Sequence, residues 1–121
     1  MDLNISKQIG DVSVVALKGR FVLGEGSSSL RERIKSLIGD GKKKIVLNMA
    51  NVTYIDSAGL GTMVAARVSA KKEGTVLLLS DLGNKFHEVL QVTRLLTIFD
   101  VYPTAAEAIS SFGLTSRAAG A

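Results

Sequence analysis

Ile55-Asp56-Ser57-Ala58-Gly59-Leu60-Gly61-Thr62-Met63 decides how this chain is read, because an apolar run stops and a helical period starts inside it. Upstream, Ile45-Val46-Leu47 with Met49 has the length of a buried strand, and Asn51-Val52-Thr53-Tyr54-Ile55 leads from it into the junction. Downstream, Leu60, Met63, Val64 and Val68 recur at helical spacing as an apolar face, with Arg67, Lys71, Lys72 and Glu73 toward the far end. Asp56 or Ser57 can cap this helix by accepting from one of its free N–H groups. Gly59 and Gly61 are poor helix formers, each about 1 kcal/mol worse than alanine. Together with Ala58 they leave the backbone uncovered, so that a partner or an anion can come close.

Working outward, Leu3, Ile5 and Ile9 alternate, Gly10-Asp11 signals a turn, and Val12 to Leu17 continues as a second strand, which predicts an N-terminal hairpin closed by Gly19. Gly24-Glu25-Gly26-Ser27-Ser28-Ser29 offers N-cap candidates before a helical face of Leu30, Ile34, Leu37 and Ile38, which Gly39 ends. After Gly74, Thr75-Val76-Leu77-Leu78-Leu79 reads as a buried strand. Gly83-Asn84 then precedes a third helical face of Phe86, Val89 and Leu90. Thr97 to Tyr102 is a short last strand, and Pro103, at a first helical turn, opens a helix over Thr104 to Phe112 with Ala105, Ala108, Ile109 and Phe112 on one side. Strands alternating with helices predict an α/β fold: a mixed, mostly parallel sheet with an N-terminal hairpin and about four helices, gathered on one face or both. The expected organisation is one domain over 1–113 and a flexible tail over 114–121.

The chain has 121 residues, 46% hydrophobic and 21% charged, which suits a single folded domain. Cysteine is absent and His87 is the only histidine, so disulfides, thiolate chemistry and multi-histidine metal sites are excluded, and neither a metal nor a cofactor is expected. No signal-peptide pattern and no apolar run of roughly 18 residues is found, so a cytoplasmic protein without a membrane partner is expected. The net charge of +4 invites a polyanion, but the one dense basic run, Lys42-Lys43-Lys44, has no interleaved aromatic residue and reads as a solvated turn; no direct nucleic-acid partner is expected.

Enzyme motifs are incomplete. A nucleophile elbow needs glycine two residues before Ser57, where Ile55 stands, and His87, the one available base, sits beside Glu88 on an amphipathic helix. Gly41-Lys42 lacks the earlier glycine and the following Ser/Thr of a phosphate loop, and Gly24-x-Gly26 lacks the third glycine of a dinucleotide fingerprint. A phosphate on Ser57, by contrast, fits the physics. A helix start tolerates the anion, yet a protein interface over it would have to desolvate about −1.5 to −2 charge beside Asp56.

Val46-Leu47-Asn48-Met49 followed by Val52-Thr53-Tyr54-Ile55-Asp56-Ser57-Ala58-Gly59-Leu60-Gly61 resembles the signature of the STAS-domain anti-sigma factor antagonists. The resemblance extends over nearly the whole chain, through the hairpin ending at Gly19, the Gly74 to Leu79 strand and Thr93-Arg94-Leu95-Leu96 before Phe99. It implies a single α/β STAS-like domain, not an enzyme, that binds an anti-sigma factor serine kinase and frees a sigma factor. It implies Ser57 as phosphoacceptor, a partner-binding patch of Asp56, Ser57, Ala58, Gly59, Gly61 and Thr62, and a serine phosphatase as a further partner. Asn48 stands where the family has Asp or Asn. One departure is Val22, three positions after Gly19, where the family commonly has an acidic residue; Glu25 is the candidate substitute from the next turn. A STAS module that binds nucleotide or serves a transport or signalling complex remains the alternative.

Overall fold

The computed structural model describes residues 2–21, 25–92, 94 and 98–120. Val22, Gly24, Thr93, Leu95, Leu96 and Thr97 lie outside the described residues. The chain runs β1 (Asp2–Ile9), β2 (Val12–Phe21), α1 (Glu25–Gly39), β3 (Lys44–Ile55), α2 (Ser57–Lys72), β4 (Val76–Ser80), α3 (Asn84–Val92), β5 (Asp100–Tyr102) and α4 (Ala105–Gly120). The five strands form one sheet in the order β1-β2-β3-β4-β5. The β1–β2 hairpin is antiparallel, and every later pair is parallel, as strand–helix–strand connections require.

Alternation along the strands divides the apolar residues between two faces. Val15, Leu17, Ile45, Leu47, Met49, Leu77 and Leu79 turn to one side, where Leu30, Ile34 and Leu37 of α1, Met63, Ala66 and Ala70 of α2 and Phe86 and Leu90 of α3 cover them. Val12, Val14, Val46 and Leu78 turn to the other, under Ala108, Ile109 and Phe112 of α4. The helices therefore occupy both faces, three against one. Lys44 joins the two sides of this smaller cluster: its Nζ lies 5.7 Å from the centroid of the Phe112 ring and donates to Asp11 Oδ2 at 2.6 Å. That hydrogen bond holds the Asp11 carboxyl below its ordinary value. What it contributes is present at neutral pH and lost as pH falls through the lowered pKa.

Several boundaries move from the pattern-based expectation. α1 begins at Glu25, so Gly26 and Ser27 to Ser29 are helical and not caps. The first turn makes few intrahelical donor bonds, so these residues cost little there, and apolar spacing becomes visible only from Leu30. Gly39 is the last residue of α1, and the capping glycine is Gly41, at φ +81°. Its N–H donates to Ile38 O at 3.0 Å while Lys42 N–H donates to Leu37 O at 3.0 Å, the paired bonds of a Schellman turn. The same turn ends α2: Gly74, at φ +75°, donates to Lys71 O at 3.1 Å and Thr75 donates to Ala70 O at 2.7 Å. A Cβ at Gly74 would meet nothing within 4 Å, so only the backbone angle opposes a side chain. Gly74→Ala is accordingly expected to destabilise by about 1–2 kcal/mol, read as a lower denaturant midpoint at unchanged slope.

Gly19 does not close β2, which continues to Phe21. It sits instead at a register shift, Gly19 opposite Val52 and Arg20 opposite Tyr54, and a second shift lies between Ala16 and Lys18. Both insert an extra residue into β3, making it longer than the short apolar run suggests. Asn48 serves the irregularity between Ala16 and Lys18, its Oδ1 accepting from Ala50 N–H at 2.9 Å. Pro103 precedes α4 and lies outside its first turn: Thr104 is the cap, with Oγ1 accepting from Glu107 N–H at 3.1 Å, and Asp81 Oδ2 accepts from Ala105 N–H at 2.9 Å. α4 then runs to Gly120, past the expected Phe112.

Candidate functional site

β3 ends at Ile55 and α2 starts at Ser57, leaving Asp56 as the single residue between them. Asp56 has φ −104° and ψ −179°, the extended backbone of an N-cap. Its Oδ1 accepts from Gly59 N–H at 2.8 Å, and its carbonyl accepts the first helical bond from Leu60 N–H at 2.9 Å. Of the two capping candidates the structure selects Asp56. Ser57 is thereby left as the first helical residue, exposed, and its hydroxyl is engaged by no described residue.

The other candidate residues divide by helical phase. Gly59 and Thr62 are buried, Ala58 is half-buried, and Gly61 is exposed. Thr62 Oγ1 donates back to Ala58 O at 3.0 Å, so the hydroxyl of this buried residue is satisfied within α2. The inward stripe of α2 is Gly59, Thr62, Met63, Ala66 and Ala70, whereas Val68, expected on the apolar face, is 57% exposed. Val68 stands about 140° around the helix from Met63, so burying Met63, Ala66 and Ala70 turns it outward.

A Cβ built at Gly61 meets nothing within 4 Å. The fold therefore gives no steric reason for glycine at an exposed helical position, and Gly61→Ala is expected to stabilise the isolated protein by about 0.5–1 kcal/mol. A rise in the thermal midpoint checks this. The glycine makes physical sense where another surface must approach the backbone.

The charges of α2 are all cationic: between Ser57 and Lys72 it carries Arg67, Lys71 and Lys72 and no acid. Lys71 and Lys72 oppose the carbonyl end of the helix dipole, and Asp56 is the one carboxylate at the amino end. An added anion at Ser57 would meet a favourable helix field and one adjacent like charge.

Sequence reasoning missed a hollow of about 230 Å3 beside this junction, lined by Met49 and Val52 to Ile55 of β3 and by Gly83 and Phe86. Tyr54 on its wall is 52% exposed, and the Arg20 guanidinium stands 5.3 Å from the centroid of its ring. The available signal was Tyr54 itself, an aromatic residue two positions before the capping Asp56. Asn48 supports the strand upstream and His87 is exposed on α3.

A family model described as STAS domain matches residues 5–108. BtrV of Bordetella bronchiseptica, named as an anti-sigma factor antagonist, is 25% identical over 112 residues, covering 93% of this chain and 95% of BtrV. The crystal structure of a Thermotoga maritima protein named as an anti-sigma factor antagonist aligns with a TM-score of 0.81 at 26% identity, covering 88% of this chain and 92% of that one. SpoIIAA, an anti-sigma factor antagonist solved in an unphosphorylated form and, from Bacillus, in a phosphorylated form, shares the fold, with a TM-score of 0.69 against each. Identity is 18% to the first and 19% to the second, with 89% of this chain covered in both cases and 96% and 97% of the respective SpoIIAA chains.

Proposed function

This chain belongs to the STAS domain family, and from that premise we propose that it is an anti-sigma factor antagonist switched by phosphorylation of Ser57. The unmodified protein binds an anti-sigma factor that is also a serine kinase and so releases a sigma factor. The kinase transfers phosphate to Ser57 Oγ, which ends the association, and a serine phosphatase restores it. The chain acts as substrate and binding switch and performs no catalysis. The cytoplasm is where such a switch meets its partners, and no helix among the described residues is long and apolar enough to cross a membrane.

One observation carries the reading: Ser57 is exposed at the first position of α2 while Asp56 does the capping. Its hydroxyl can be modified without removing a bond that holds the fold. Gly61, open to solvent with no packing demand on it, supports a surface built for close approach. BtrV and the Thermotoga protein, both named anti-sigma factor antagonists, support the same partner class. The test is a titration of wild type, Ser57→Ala and Ser57→Asp against the serine-kinase anti-sigma factors of the source organism, with phosphate uptake followed in parallel. Undiminished binding by Ser57→Asp together with no phosphate on Ser57 would overturn the proposal.

A further inference from the structure

On the outer side of the helical layer, α1 and α2 enclose a groove of about 90 Å3. Arg31, Ile34, Lys35 and Ile38 form one wall, at the i, i+3, i+4, i+7 spacing of a single helix face. Thr62, Ala66 and Ser69 contribute to the other. Seven residues of helix span about 10 Å, which gives the groove the length of two helical turns.

Its chemistry is divided. Ile34, Thr62 and Ala66 are buried and make an apolar floor, since the Thr62 hydroxyl is turned onto Ala58 O. The short side chains from α2 keep that floor reachable. Arg31 and Lys35 are exposed along the α1 rim, and no carboxylate is among the described lining residues. Neither cation forms an ion pair with a described residue. Arg67, Lys71 and Lys72 add to the positive field from α2.

We propose that this groove receives an acidic amphipathic helix of the protein partner. About two turns of it dock, apolar side chains lying on Ile34, Ile38 and Ala66 and carboxylates meeting Arg31 and Lys35. The inference rests on the reading of the α2 amino end as a partner surface and extends it: Thr62 follows Ser57 by five residues, about 7–8 Å along the helix. One partner can cover both. A single nucleic-acid strand would leave the apolar floor unused and finds no aromatic side chain in the groove to stack on. An anionic bilayer is matched by protruding apolar side chains, and this floor is recessed.

The test uses the full chain, isotope-labelled, and a synthetic peptide of about 18 residues, long enough to hold a helix, with leucine on one face and glutamate along its borders. Backbone amide shifts are expected to concentrate in residues 31–38 and 62–69. Arg31→Glu combined with Lys35→Glu, both exposed positions whose change spares the core, is expected to raise the peptide Kd at least about tenfold. Several results would overturn the inference: shifts elsewhere or none, equal binding of the same peptide with lysine in place of glutamate, or stronger competition by short single-stranded DNA or by phosphatidylglycerol vesicles. Ser57→Asp is expected to bind this peptide as wild type does. Loss of the groove interaction would therefore leave the phosphorylation switch standing, and failure of the kinase titration would leave the groove.

Discussion

On the proposed switch, replacing Ser57 with aspartate is expected to weaken binding of the anti-sigma kinase by roughly a thousandfold while the isolated protein keeps its fold and stability. The two halves of this result have separate causes. In the free protein the new carboxylate stands at the first position of α2, where the helix field favours it by about 0.3–1 kcal/mol. The cap is unaffected, because Asp56 Oδ1 and not Ser57 accepts from Gly59 N–H. In the complex the same carboxylate must leave water beside Asp56, and α2 has no acid that repulsion could exploit nor a cation before Arg67 that could pair with it. Removing water from an unpaired charge costs several kcal/mol, and a loss of about 4 kcal/mol corresponds to the stated factor. Phosphoserine, with about −1.5 to −2 charge, acts in the same direction. Calorimetric titration measures the binding loss and thermal unfolding shows the retained stability; a variant that lost both would point to damage and not to a switch.

Leu47→Ala is expected to destabilise the protein by about 2–5 kcal/mol. Leu47 is fully buried on the central strand β3, paired with Val15 of β2 and Leu79 of β4, both also fully buried. Its neighbours in the core come from rigid strands and from helices on the same sheet face, so the cavity left by truncation has little freedom to collapse. A thermal midpoint lowered by about 10 °C or more, at some 4 °C per kcal/mol, checks the effect. A loss under about 1 kcal/mol would mean that the helices can close over the gap, and would contradict the packing described for β3.

Legibility in the sequence followed the strength of the physical signal. The strands of β3 and β4 were readable because Ile45-Val46-Leu47 and Leu77 to Leu79 are buried from both faces, and such runs admit few alternatives. The junction of Ile55, Asp56 and Ser57 was readable because period and cap chemistry change there together. The inward face of α2 was misread at Val68: that helix buries small residues, and a search for large apolar side chains overlooks Gly59, Thr62 and Ala70. The start of α1 was misplaced for a related reason, since glycine and serine in a first turn look like loop. Whether Asp56 or Ser57 caps is a matter of one φ/ψ pair, which composition does not encode. The groove between α1 and α2 was invisible, because it exists only once Arg31 and Thr62, distant in the chain, face each other across a tertiary contact.

The placement of α4 alone on the far side of the sheet from α2 supplies a practical handle. The chain contains no cysteine, and Ser110 on α4 is exposed. A Ser110→Cys protein would carry one thiol for a dye or for attachment to a sensor chip, oriented so that the opposite side of the molecule stays open to whatever is flowed over it.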